Sequence, residues 1–388
     1  MEELCDGICC PAYESKLERN QYESLNETII PKLCERLDIS YEDVKCACDE
    51  NELIDAIHEY FTNDLEKLGE RLAKYSDNTN FVNTNLIACL YYLLKKEYDK
   101  LNNCVRKLDI VKSSMNIIEM ATFLIITIHY NIATLQYEKA INYYRYLKML
   151  ECDNQDIEIM QLEAKFIIDC NLYNKFTNSN HDIIEMDYKD LKSNHILSCP
   201  ITKQINLQLE YLKTLDGDSA LEYLANLEKD DIYHNVKNFT YVKALALAKA
   251  NKFTELVEYL DNLNNIGFKY ASLYAYAVRG LILKMDDKNS KAAIELKKKL
   301  KGIINDAKME SGDTIHIAFL KLMELEIDGD TDVKIFEYIK FEMGALFKNY
   351  NVPFYFEYCL NRSYVLIGKL TKYKEAYELL SKLLFNNN

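Results

Sequence analysis

The sequence predicts an all-α protein assembled from stacked helical hairpins, and three observations predict it. Backbone breakers are scarce: 388 residues hold 10 Gly and 4 Pro, whereas strand-rich folds need turn residues every ~8–12 positions. Leu, Ile, Lys, Glu and Asn dominate, and Trp is absent. A helix–turn–helix pattern also recurs at near-constant spacing over most of the chain.

The clearest copies of that pattern are YNIATLQYEKAINYYRYLKML (130–150) and YVLIGKLTKYKEAYELLSKLL (364–384). Each has an apolar helix, a short polar turn, an aromatic, then a small residue three positions on and further apolar positions. Looser copies place the turn position at Tyr98, Tyr137, Gly217, Phe253, Asn289 and Tyr373. The intervals are 39, 80, 36, 36 and 84 residues, two of them double steps, which implies degenerate repeats near 177 and 331. A period of about 36–42 is that of a tetratricopeptide-type unit, whose ideal is ~34. The fold class is therefore all-α: a right-handed superhelix of tetratricopeptide-like helical hairpins over residues 46–388, preceded by a partial helix-turn-helix at 1–45. A hairpin cannot cover its own apolar face, so Ala140, Tyr144 and Leu147 are expected to be buried by stacking. Ala244, Gly280 and Ala376 stand where helices must cross closely.

First helices line the concave face of such an array. Their inward positions read Asn238 and Tyr241 in one repeat, Tyr274 in the next, and Tyr358 and Asn361 in the last. A carboxamide offers a donor and an acceptor together, the pair of functions that holds an extended peptide backbone. Tyr adds flat apolar area and a hydroxyl. These five residues are the candidate peptide-binding set, with Arg279 and Arg362 nearby to pair with a carboxylate.

Other classes are excluded or left without a motif. The net charge of −14 gives no general electrostatic grip on nucleic acid. No secretory leader and no run of eighteen uninterrupted apolar residues is present; MATFLIITIHYNIATL (120–135) reads as a buried helix with His129 satisfied inside. A cytoplasmic protein with no membrane contact is expected. Six of the 12 cysteines lie at Cys5, Cys9, Cys10, Cys34, Cys46 and Cys48, without the ligand spacing of a zinc site, and are read as packing residues. No phosphate loop, nucleophile elbow or HExxH is present, so no enzyme and no cofactor is expected.

Residues 2–20 read as helix, turn, helix: Leu4 and Ile8 inward, Gly7 at the turn, Pro11 at the start of the second helix and Leu17 inward. SLNE (24–27) is a capping box ahead of TIIPKLCERLDI. EELCDGIC and SKLERN resemble the Cro/C1-type helix-turn-helix of the Gram-positive peptide-responsive transcriptional regulators (the PlcR and Rgg type), which join that domain to tetratricopeptide repeats. That resemblance implies DNA-facing residues Cys10, Pro11, Ala12, Tyr13, Ser15, Lys16 and Arg19. It also implies a short signalling peptide as ligand, and a homodimer, since such proteins read paired half-sites.

Three features depart from the pattern. The helix that should precede MEELCDGIC is missing, so DNA is a partner only if that helix is restored. Glu14 replaces a buried Leu, and Pro31 falls where the sequence predicts a helix interior. Residues 1–45 hold five Lys/Arg against eleven Asp/Glu, a local net of −6. A repeat scaffold for peptide or protein partners, without DNA contact, is the alternative expectation.

Overall fold

The computed structural model describes residues 5–10, 13, 15, 29–38, 50–75, 82–172, 181–191, 200–229, 232–233, 236–263, 267–309 and 313–370. The helices are α1 (Ile30–Arg36), α2 (Glu50–Phe61), α3 (Leu65–Lys74), α4 (Val82–Lys95), α5 (Tyr98–Val111) and α6 (Ile117–Ala133). There follow α7 (Tyr137–Leu147), α8 (Gln155–Leu172), α9 (His181–Asp190), α10 (Ile201–Leu212), α11 (Gly217–Leu227) and α12 (Lys237–Lys249). The last are α13 (Phe253–Asp261), α14 (Phe268–Leu283), α15 (Lys291–Asp306), α16 (Asp313–Asp328), α17 (Asp332–Tyr338) and α18 (Pro353–Leu370). A π-turn at Ile339–Met343 and a helical stub at Gly344–Leu346 prolong α17. Among the described residues there is no strand, only an isolated bridge pairing Gly267 with Lys308.

Second helices begin at Tyr98, Tyr137, Gly217 and Phe253, where the repeat spacing puts them. Asn289 falls two residues before α15, and the implied repeat near 331 is α17, capped by the Thr331 hydroxyl on the Lys334 N–H. Position 177, Ala376 and Tyr373 lie outside the described residues.

The corners share one chemistry. Asn63, Lys96, Leu135, Asn251 and Gly329 all have φ between 54° and 77°. In each case that residue's N–H donates to the carbonyl three positions back, and the next N–H donates five positions back: Asp64 to Glu59, Glu97 to Tyr92, Gln136 to Asn131, Lys252 to Leu247 and Asp330 to Leu325. These are the paired bonds that close a helix through one left-handed residue. Only Gly329 takes that conformation without steric cost; elsewhere it costs ~1–2 kcal/mol, offset by the two satisfied carbonyls and the packing they permit.

The chain divides into two compact units, Met1–Tyr130 with Lys139–Ala164, and Asn131–Glu138 with Lys165–Asn388. In the first, α2 and α3 pack on each other and on α4, which pairs with α5. Arg71 of α3 ties this corner together, bonding Glu59 of α2 at 2.6 Å and also Glu52. In the second unit α10 packs on α12, α12 on α14 and α14 on α16, as successive first helices. The second helices fill the seams, α11 against α12, α13 against α12 and α14, α15 against α14, and α17 against α16 and α18.

Burial follows that order. Every residue from Ala271 to Val278 of α14 is buried, as is every residue from Thr84 to Leu90 of α4. By contrast α15 buries only Ala293 and Leu300, and α5 only Leu101 and Leu108. First helices such as α14 and α4 are apolar nearly all round because they are covered on both sides; α15 and α5 are amphipathic because their outer faces meet water. Ala140, Tyr144 and Leu147 are buried as expected. At Gly280 a Cβ would come within 2.4 Å of the Phe253 ring, which explains the small residue at that crossing.

At the N-terminal end, Leu33 and Cys34 of α1 pack with Ile8, Cys9 and Ile29, Gly7 turns the chain at φ 69°, and Arg36 Nη1 donates to the Asp6 carbonyl at 2.7 Å. The sequence placed Pro31 inside a helix. It lies instead in the first turn of α1, where its missing N–H has no helical partner to lose, so the expected penalty is absent. Glu14 lies outside the described residues.

In the second unit's core, His316 Nδ1 lies 2.8 Å from the Tyr355 hydroxyl, itself 2.5 Å from Ser272 Oγ. Burial, with a smaller contribution from Lys269, pushes the His316 pKa down to about 3. The unfolded chain, titrating near the ordinary ~6.5, therefore binds a proton that the fold rejects. Stability contributed here is complete above pH ~6.5 and is lost as pH falls toward 3.

His316→Gln should flatten the fall in urea midpoint between pH ~6.5 and 4 relative to the parent chain. An unchanged slope would show that His316 is not the group responsible. Gly280→Ala should destabilise by about 1–3 kcal/mol through the displaced Phe253 ring. Gly302→Ala, where nothing lies within 4 Å, should stabilise by up to ~1 kcal/mol through helix propensity; thermal melts of both variants check the pair.

Candidate functional site

A cavity of about 400 Å³ opens in the second unit. The α11 N-terminus supplies Asp216 and Gly217, and the α12–α13 corner supplies Lys249 and Asn251. Tyr276 and Arg279 come from α14, and Phe354, Glu357, Tyr358, Asn361, Arg362 and Val365 from α18. The α18 residues are spaced by three and four, so a single helical face presents them all.

Local folding fixes each wall. A Cβ on Gly217 would come within 2.3 Å of the Ala250 backbone nitrogen, so glycine lets α11 start hard against the end of α12. Asp216 caps α11 on the Ser219 N–H at 3.0 Å, a bond that holds its carboxyl below the usual range. Lys249 Nζ donates to the carbonyls of Lys213 and Leu215, at the end of α10. Asn251 accepts the Tyr276 hydroxyl at 2.9 Å through Oδ1.

The electrostatic centre lies behind Tyr358. Glu326 of α16, its side chain 4% exposed, receives Arg279 Nε and Arg362 Nε, the latter at 2.5 Å, and the Tyr358 hydroxyl at 2.6 Å. Burial and the Glu326 charge push the Tyr358 pKa well up, so this hydroxyl stays a donor. The Arg279 guanidinium also lies 5.3 Å over the Tyr358 ring. Two guanidiniums thus share one buried carboxylate, each through Nε. Arg362 reaches Asp332 at 3.7 Å with one of its amino groups. Both arginines line the cavity, together with Lys249 and the carboxylates Asp216 and Glu357.

The structure brings some predicted residues together and separates others. Tyr358 and Asn361 line the cavity, with Asn361 exposed. Asn238 is exposed and donates from Nδ2 to Asn206 Oδ1 at 3.0 Å, outside the cavity. Tyr241 is half-buried, edge-on to Tyr270, and does not line it. Tyr274 is placed away from any groove: it is wholly buried, and its hydroxyl donates to Asp261 at 3.0 Å. On α14 the cavity is lined by Tyr276, itself buried, and Arg279. Sequence reasoning missed Tyr276, Asn251 and Glu326; the last carried a signal, a carboxylate set between the buried Leu325 and Ile327.

Of the candidate DNA-facing residues, Cys10 is exposed and Tyr13 and Ser15 are half-buried. Pro11, Ala12, Lys16 and Arg19 lie outside the described residues. Among the described residues no His/Cys/Asp/Glu cluster fit for a metal exists, and no helix is long and apolar enough to cross a membrane. Comparison with protein families, curated proteins and solved structures finds no match.

Glu326→Ala should remove the carboxylate that Arg279 and Arg362 share, leaving Arg362 only Asp332 at 3.7 Å. The expected cost is about 3–5 kcal/mol, read as a lowered urea midpoint. A loss under ~1 kcal/mol would mean that the pair is solvated in solution.

Proposed function

We propose that the helical array is a receptor for a short peptide, which docks in the cavity between α14 and α18. The observation that carries this reading is the convergence of an exposed carboxamide, Asn361, with two arginines held on one buried carboxylate. The carboxamide offers a donor and an acceptor to peptide backbone, and the arginines favour an anionic group such as a peptide carboxylate. Apolar walls from Tyr276, Phe354 and Val365 supply the area that a small ligand needs.

With the resemblance of EELCDGIC and SKLERN, this makes the chain a peptide-gated transcriptional regulator, its DNA contact made from the N-terminal helix-turn-helix as a homodimer. One observation favours a second reading, a peptide-binding scaffold without DNA contact: the net of −6 over residues 1–45 repels a phosphate backbone.

The experiment is calorimetric titration with pools of short peptides bearing free or amidated C-termini. Free-acid pools should bind, and Asn361→Ala should weaken binding by about tenfold, the value of one lost hydrogen-bond pair. Lys297→Ala on α15, remote from the cavity, should change nothing. Equal affinity of Asn361→Ala and the parent chain would remove the site. Retention on duplex DNA that falls steeply with salt separates regulator from scaffold.

A further inference from the structure

We infer, on the reading that the cavity between α14 and α18 receives a short peptide, that Glu357 sets its specificity: the peptide carries a cationic amine, seated on the Glu357 carboxylate. The other charges in the cavity wall are already committed inside the protein. Arg279 and Arg362 both hold Glu326. Lys249 donates to the carbonyls of Lys213 and Leu215. Asp216 accepts from the Ser219 N–H through one oxygen and from the Ser219 hydroxyl through the other, at 3.0 and 2.7 Å. Glu357 differs. It is half-buried and lines the same cavity, and among the described residues no hydrogen bond or ion pair engages its carboxylate.

The surroundings of this carboxylate suit a cation. On α18, Phe354 stands three positions before Glu357 and Tyr358 one after. Both rings pack edge-on against Tyr276 of α14, with centroids 5.1 and 5.6 Å away, and all three line the cavity. Aromatic faces attract ammonium and guanidinium groups. One ring here already does so, since the Arg279 guanidinium lies 5.3 Å over Tyr358. A ligand that covers Glu357 strips water from its charge, which is costly unless the ligand supplies a partner. An amine supplies one, through a charge-assisted hydrogen bond.

Spacing along α18 fixes where the amine sits in the peptide. Glu357, Asn361 and Val365 follow one another four positions apart on one face, at about 6 Å per step. An extended peptide advances ~3.3–3.6 Å per residue. A peptide laid along α18 with its backbone on Asn361 therefore holds its amine about two residues' length to the Phe354 side, and an apolar group about as far to the Val365 side. The amine is the peptide's own N-terminus or a lysine side chain; either puts the same ammonium on Glu357.

The test is calorimetric titration of the full chain with tetrapeptide pools, all with free C-termini. One pool has a free N-terminus and a lysine, a second the same with the N-terminus acetylated, and a third a free N-terminus with norleucine in place of lysine. At least one neutralised pool should bind about tenfold or more weakly than the first, the effect of losing a charge-assisted hydrogen bond. Which one does so tells N-terminus from side chain. Glu357→Gln, which keeps the side chain's size and removes its charge, should bind the first pool as weakly as the parent chain binds the neutralised one, and should no longer tell the pools apart. The pools are compared on the parent chain first, so a poorly folding variant cannot hide the answer. Equal binding of all three pools by the parent chain, or unaltered discrimination by Glu357→Gln, overturns the role of Glu357 and leaves the receptor reading standing. Binding of no pool overturns both.

Discussion

Everything in this molecule depends on a helix that cannot exist alone. First helices such as α4, α6 and α14 are apolar nearly all round, so they are stable only when covered on both sides and along their seams by other helices. In α14 an unbroken stretch from Ala271 to Val278 is buried. Removing a neighbour would expose the part of it that the neighbour covers. The left-handed corners serve this constraint, since each reverses the chain within a few residues while its own carbonyls stay satisfied. They bring the second helix back onto the first before solvent can compete.

The same packing builds the cavity. A first helix spends its covered faces on the core and has one open stripe left, and on α14 and α18 these stripes meet. Behind them a single buried carboxylate holds two arginines. A buried carboxylate alone would be costly, and one arginine would merely neutralise it. Two arginines hold it, Arg362 is shared with Asp332, and Lys249, Asp216 and Glu357 line the same cavity, so charges of both signs face one another there. Rigid positioning and paired charges coexist here inside a chain whose net charge is −14.

Much of the fold was legible before any coordinates. The second-helix starts at Tyr98, Tyr137, Gly217 and Phe253 were carried by an aromatic or small residue at constant spacing, and that residue is constrained because it sits where two helices cross. The corners themselves were not legible, since the left-handed residue is Asn, Lys or Leu in most of them, and none of these announces positive φ as glycine does. The site was legible in part. Tyr358 and Asn361 line the cavity, yet Asn238 and Tyr241 stand at the same offsets from their turn position and do not, so the register alone does not mark the site. Tyr274 was misplaced because α14 is apolar on every face, so periodicity cannot say which tyrosine looks outward. Glu326 was passed over because a lone acid in a helix reads as surface until its partners on two other helices are known. Pro31 looked disruptive only because the helix start at Ile30 lacks a strong cap signal.

The most direct measurement of the central constraint is amide hydrogen exchange resolved along the chain by mass spectrometry. Stacking in sequence order predicts the slowest exchange in the covered first helices, α14 above all, with faster exchange in the half-wet second helices α11 and α15. Faster exchange in α14 than in α15, or protection uniform across both classes of helix, would contradict the account.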